Sequence, residues 1–293
     1  FISPINWAIQ EYGEENIEIL RCSEDDVNFC QTEEYLKSLD NNSAILIVHN
    51  LGYIVDVERI KKIRPDIILV EDNCEGIFGK HGTNYSGTST LCSALSFYGN
   101  KTITSGEGGC FITNDIDIYN HIKLIYSHGM SSKRYIHNHR GYNYRMTNVQ
   151  AALLYDQLKD IDHILTLKKK VFDNYDISLK KELSQYTSYV FRLTPKFNTT
   201  HSLWMYTLFI KNLDYDDFEK FMLEQNIQIR PLFFDVHEHA HLKTIKKDDT
   251  VKTTLFKNGF MLPSYPSITE QQQTYIAVCI KNYIIKNITI MNN

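Results

Sequence analysis

The chain is short of nearly everything that marks a special class of protein. No apolar run approaches the about 20 residues that a membrane-spanning helix needs, so no membrane partner is expected. There is no internal repeat, no low-complexity segment and no block of like charge long enough to act as an interaction tail. Lys168 to Lys170 and Lys246 to Lys247 are short clusters of the kind that solvated surfaces carry. The formal net charge is −4, which argues against nucleic acid as an obligate partner. The six cysteines, Cys22, Cys30, Cys74, Cys92, Cys110 and Cys279, are scattered, with no C-x-x-C pair and no metal-ligand spacing. A chain of 293 residues buries enough surface not to need a disulfide framework, so a reducing compartment, the cytoplasm, is expected.

What the sequence does have is alternation between buried-strand and helix patterns. Ile17 to Leu20 is a short strand candidate. Ala44-Ile45-Leu46-Ile47-Val48 is a stronger one, continuous in the way of a strand buried on both faces. Val57 to Ile63 reads as a short helix stopped by Pro65, and Ile67 to Val70 as the next strand. Strand, helix and strand in that order predict a βαβ unit, hence an α/β fold with a mainly parallel sheet flanked by helices. Ala94 to Phe97 and Cys110 to Thr113 read as two further strands. Thr147 with Gln150 carries a capping-box signature, and Leu154, Leu158, Ile161 and Leu165 keep helical spacing beyond it. The pattern predicts one long helix there, bridging to a small α+β domain. That domain has a strand near Leu203 to Ile210, a helix near Asp216 to Gln225 and a last helix near Glu270 to Ile285. The expected division is a large domain over 1–165 and a small one over 166–293.

Taken singly, the candidate functional residues carry little weight. Asp72 follows a buried strand, at the sheet edge where open α/β folds bind ligands, yet a carboxylate there also serves as a loop cap. Lys101 follows the stretch Ala94-Leu95-Ser96-Phe97, and a lysine after a strand is usually surface. Gly106-Glu107-Gly108-Gly109 marks a tight turn before it marks a ligand.

Their order and spacing carry the weight. Asp72-Asn73-Cys74-Glu75 is followed by Ser96-Phe97, Lys101, the Gly-Glu-Gly-Gly turn and Gly141-Tyr142-Asn143-Tyr144-Arg145-Met146-Thr147. Arg230-Pro231-Leu232-Phe233 and Leu262-Pro263-Ser264 come later. In these motifs the sequence resembles the DegT/DnrJ/EryC1/StrS family of sugar aminotransferases, which depend on pyridoxal 5'-phosphate (PLP). The resemblance covers nearly the whole chain. It implies the aspartate-aminotransferase-like fold (fold type I) and PLP as cofactor.

It also implies roles. Lys101 would carry the cofactor as a Schiff base and then act as general acid and base, work that suits an amine whose pKa is lowered in a site of low polarity. Asp72 would pair with the pyridinium nitrogen. Glu75 would lie beside the ring, where the family usually has glutamine or histidine, and the extra carboxylate would alter the local proton balance. Ser96 would bind the phosphate. Asn143 would reach it from the neighbouring subunit of a homodimer, and Arg145 is either a second interface contact or a loop support. Arg230 and His237 are candidates for the nucleotide-sugar substrate, with a surface salt bridge and a packed loop residue as equally good readings. His137 and His139 lie on the loop before Gly141. The histidines show no metal-ligand pattern, and the implied reaction uses no metal.

The implied reaction converts a keto group of a nucleotide-linked 4-keto-6-deoxy sugar to an amine, with glutamate as donor. Amination at C3, or a non-catalytic paralogue with a regulatory or binding role, are the alternatives. A sister branch of dehydratases has histidine in place of the lysine, and Lys101 speaks against it. The chain opens on Phe1 rather than methionine, within what reads as a strand-and-turn at Phe1 to Pro4. The family's phosphate-cradling segment would lie ahead of it, so a preceding segment is expected.

Overall fold

The computed structural model describes residues 2–23, 25–130, 132–247 and 254–291. Packing divides the chain into two compact units. One holds residues 33–161 with 197–202; the other holds 1–32, 162–196 and 203–293. The break after Ile161 lies close to the expected boundary, but residues 1–32 group with the C-terminal unit rather than with the first domain.

The N-terminal residues form a helix, α1 (Ile2–Tyr12), not the expected strand-and-turn. Ile2, Ile5 and Ile9 recur at helical spacing and pack with Val236, Leu242 and Ile245. Pro4 is tolerated because it stands in the first turn, where its missing N–H has no helical partner to lose. The strand expected at Ile17 to Leu20 shortens to Glu18–Ile19, which pairs with Lys246–Lys247 in a two-stranded sheet of its own.

The 33–161 unit is built on a four-stranded sheet in the order β1 (Ala44–Val48), β2 (Ile68–Asp72), β3 (Cys92–Ser96) and β4 (Gly109–Thr113). The first three run parallel and β4 returns antiparallel to β3. Helix α2 (Val57–Ile63) makes the crossover from β1 to β2, capped by Asp56 accepting from the Arg59 N–H. Arg64 follows α2 and is almost fully buried. Its guanidinium donates to the carbonyls of Leu36 and Leu39, which fastens the crossover to the helix Glu33–Ser38.

Alternation along these strands sorts the side chains between two faces. Ile45, Ile47, Leu69, Glu71 and Ser93 are buried on one. On the other, Leu46 is 44% exposed, Ile68 51% and Phe111 38%. The expectation that β1 is buried on both faces is therefore corrected: within the described residues its second face is open. Helix α3 (Ile116–Ile125) follows β4, with Asp115 as its N-cap.

The single long helix predicted after Thr147 is two helices. The capping box forms as expected, and α4 (Asn148–Lys159) ends where Asp160 leaves helical geometry. Helix α5 (Ile161–Leu183) then starts the second unit. That unit contains an antiparallel sheet of β5 (Val190–Phe191), β6 (Tyr206–Ile210), β7 (Arg230–Pro231) and β8 (Gly259–Leu262), in the order β7-β8-β6-β5. Helices α5, α6 (Tyr215–Glu224) and α7 (Glu270–Met291) belong with it. Tyr175, Tyr206, Phe218, Phe260 and Tyr283 form its aromatic core, and all five residues of β6 are buried. No helix among the described residues is long and apolar enough to cross a membrane.

One basic cluster is misjudged by composition. Lys169 and Lys170 are exposed as expected, but Lys168 is 4% exposed, and its amine donates to the carbonyls of Trp204 and Ser264 at 2.7 Å each. Its helical position faces the core, so the stem is buried and the head group takes backbone carbonyls in place of water. Burial lowers its pKa from an ordinary 10.5 to about 8. Between those values the unfolded chain binds a proton that the folded one does not, so this residue adds stability as pH rises through that window. The melting temperature of the wild type should gain on that of Lys168→Met between pH 8 and 10.5. A difference that stays flat with pH would refute the assignment.

Candidate active site

The site grows from the carboxyl end of β2. Glu71 and Asp72 are consecutive, so the pleat sends one carboxylate to each face of the sheet. Asp72 emerges on the open face. Its Oδ1 accepts the Cys74 N–H at 3.2 Å, a local turn that swings the chain off the strand and places Glu75. Asp72 pairs in register with Ala94 of β3, and Ser96 lies two residues farther along that strand on the same face. The Ser96 hydroxyl accepts the Tyr98 N–H at 3.3 Å.

Lys101 stands in the connection from β3 to β4. That connection is closed by Phe97 N–H to Gly108 carbonyl and Ser105 N–H to Phe97 carbonyl. Gly106 has φ 81°, open to glycine at little cost. Gly109 is needed for strand pairing, because a Cβ there would stand 2.7 Å from the Leu95 carbonyl oxygen. From α4, Gln157 grips the connection at both backbone groups of Thr104: it accepts the N–H at 3.0 Å and donates to the carbonyl at 2.7 Å.

These elements bring Lys101 Nζ to 3.5 Å from Glu75 Oε1, with side chains only 10% and 13% exposed. The other oxygen, Oε2, accepts the Leu51 N–H at 2.8 Å. Burial pushes the Glu75 carboxyl up from its ordinary range against the opposing pull of Lys101 and the Leu51 N–H. Burial, with the Asp72 charge second, pushes the neighbouring Cys74 thiol up to about 12, so it stays protonated and is no nucleophile at neutral pH. A primary amine, two carboxylates and a hydroxyl at one strand edge suit an aldehyde cofactor with a basic ring nitrogen and a phosphate. The donor set therefore fits PLP.

The remaining candidates lie elsewhere. Asn143 is exposed on an arm that closes where Ser127 pairs with Asn143 and Met130 with His137. Gly129 and Gly141 let the two sides of this arm cross, since a Cβ on either would collide with backbone of the other side. Tyr142 and Tyr144 stack at 4.9 Å beside Asn143, and Arg145, His137 and His139 are exposed on the same arm. Arg230 is exposed on β7 of the second unit. His237 belongs to that unit too, and its Nε2 bonds the Ile245 carbonyl at 2.8 Å, which makes it a loop-holding residue there. Sequence reasoning missed Leu51, Gln157, His49 and Glu71. Only the position of His49, directly after the apolar run of β1, offered a signal.

The sequence pattern of the DegT/DnrJ/EryC1/StrS aminotransferase family matches residues 27–281. Over 253 residues the chain is 30% identical to the GDP-perosamine synthase of Escherichia coli O157:H7, covering 84% of this chain and 67% of that protein. It is 33% identical over 236 residues to the GDP-perosamine synthase of Caulobacter vibrioides, covering 78% and 62%. The chain thus spans about two thirds of the length of these curated relatives. Among solved structures, Helicobacter pylori PseC, an aminotransferase involved in the biosynthesis of pseudoaminic acid, superposes with a TM-score of 0.79. It is 20% identical, with 92% of this chain and 73% of that one covered, a likeness that speaks for the fold.

The Gln157 grip generates a prediction. Gln157→Leu leaves the Thr104 N–H and carbonyl without their partner, at a cost of about 1–3 kcal/mol. The urea midpoint should fall accordingly, and an unchanged midpoint would show that the grip does not hold the Lys101 connection.

Proposed function

Because the chain belongs to the DegT/DnrJ/EryC1/StrS aminotransferase family, we propose that it holds PLP at Lys101 and aminates a nucleotide-linked 4-keto-6-deoxy sugar, with glutamate as donor. The observation that carries this reading is the buried contact between Lys101 and Glu75, beside Asp72 on one strand edge. The shared name of the two relatives, GDP-perosamine synthase, favours GDP as the nucleotide.

Bound PLP supplies the electron sink that lets a proton leave the carbon next to the amine. The protein's part is placement and proton handling. Asp72 presents its carboxylate to the ring nitrogen, and the low polarity of the edge strengthens that attraction relative to water. Ser96 offers its hydroxyl to the phosphate. Lys101 Nζ gives and takes the proton that moves during the exchange, and Glu75, whose carboxyl holds protons more readily than usual, is the group beside it that receives one. In a homodimer, Asn143 on its exposed arm reaches the phosphate of the partner's site. Arg230, from the second unit, takes the sugar nucleotide, while His237, bonded to the Ile245 carbonyl, holds the loop of its own unit. In this division residues up to about 165 carry the cofactor and those after it contribute to the substrate. The six free thiols suit the cytoplasm.

Added PLP should give a visible band that borohydride abolishes and that Lys101→Ala never shows. Colourless protein would leave only the non-catalytic alternative. Asp72→Asn should keep the cofactor and lose about 100-fold or more in turnover, on the scale of removing one preorganised charge. Substantial activity in that variant would remove Asp72 from its role. Mass detection of amine formation across GDP-, UDP- and dTDP-linked keto sugars reads the nucleotide and the carbon.

A further inference from the structure

On the buried face of the sheet, opposite Asp72, lies a second carboxylate with no part in the site described above. Glu71 is 1% exposed and His49 0%. His49 Nε2 lies 2.7 Å from Glu71 Oε2, and the same carboxylate accepts the Gly87 N–H at 2.8 Å and the Thr90 hydroxyl at 2.6 Å. Burial alone would push Glu71 up, but these donors outweigh it and hold the carboxyl below its ordinary range. Glu71 is therefore an anion inside the protein, stable only while its donors stay in place. The tautomer of His49 follows from its other nitrogen. Nδ1 accepts the Val55 N–H at 3.1 Å, so the proton sits on Nε2 and is donated to Glu71.

The Val55 contact closes a loop on itself. His49 begins the loop after β1 and Val55 ends it. Inside lies Leu51 at φ 60°, a left-handed conformation that a leucine adopts only under external constraint. The amide of Leu51 is the donor to Glu75 Oε2. A continuous path thus runs from Glu71 through His49 and the closed loop to the Leu51 N–H, then to Glu75 and Lys101.

We propose that His49 and Glu71 are positioning residues: from the far face of the sheet they lock the loop whose Leu51 amide holds Glu75 against Lys101, and so set the proton affinity of the Lys101 nitrogen. The proposal rests on the PLP reading for its spectroscopic arm only. The titratable groups facing this path are Asp72, Cys74 and Lys101 on the site side, with His81 and Cys92 near Glu71, and Asp56 and Glu58 near His81.

The test compares His49→Leu, which keeps neither contact, with His49→Asn, whose Oδ1 replaces Nδ1 toward Val55. In the unloaded chain, hydrogen exchange at Leu51 should quicken by about tenfold or more in His49→Leu, as expected for a lost local constraint, and recover in His49→Asn. In the PLP-loaded chain, the pH midpoint of the visible absorbance should fall by about half a unit in His49→Leu, because a weaker Glu75 anion supports the Lys101 proton less. Glu75→Gln should lower the midpoint by itself, and His49→Leu added to it should lower it no further. Thr90→Val, which removes one donor from Glu71, should shift it less in the same direction, and it carries the test if His49→Leu fails to fold. Unchanged Leu51 exchange, an unshifted midpoint in a folded variant, or equal shifts with and without Glu75 would each overturn the proposal. A wild type that shows no band with PLP sinks the functional reading instead, and the exchange arm then decides this one.

Discussion

The buried contact of His49 with Glu71 is the interaction from which the site geometry follows. An anion taken out of water costs several kcal/mol unless its lone pairs find donors. Glu71 finds three, one from His49 after β1 and two, Gly87 and Thr90, from the connection that leads into β3. Satisfying one buried group therefore ties together the connections around the carboxyl end of β2. Because side chains alternate on a strand, the residue after Glu71 must face the other way. Burying Glu71 presents Asp72.

The same alternation explains why the two faces of this sheet differ. The buried face carries Ile45, Ile47 and Leu69 around the ionic group; the other carries Leu46, Ile68 and Phe111 beside Asp72 and Ser96. The candidate site residues are gathered at the strand ends and in the connections, where Lys101, Glu75 and Leu51 meet. Precision in those connections comes from neighbours rather than from local preference. Gln157 grips Thr104, and the His49 loop holds a leucine in a left-handed conformation. Lys168 repeats the theme in the second unit, where a buried cation is held by two backbone carbonyls.

Much of this was legible in the chain. The runs at Ala44 and Ile67, the helix between them and the capping box at Thr147 depend on patterns within a dozen residues, and all formed. Errors came where a local pattern had two outcomes. The isoleucines of α1 suited a helix as well as the strand-and-turn inferred around Pro4. Continuous apolarity in β1 was compatible with one buried face as well as two. Spacing across Asp160 was continuous, although the backbone there was not.

Asp72, Glu75, Ser96 and Lys101 became candidates because a family resemblance ordered them, and their placement at a strand edge follows from the strand pattern. What the sequence determined by itself was the parallel α/β core and the run of residues at its carboxyl edge, since hydrophobic period and strand ends are local properties. Only the tertiary structure decided that Glu75 touches Lys101, that Lys168 is buried, and that His49 and Glu71 pack on the other face of the sheet. Those contacts join residues 22 to 96 positions apart. Nothing in local sequence encodes such a distance, because it is set by how strands register and connections close.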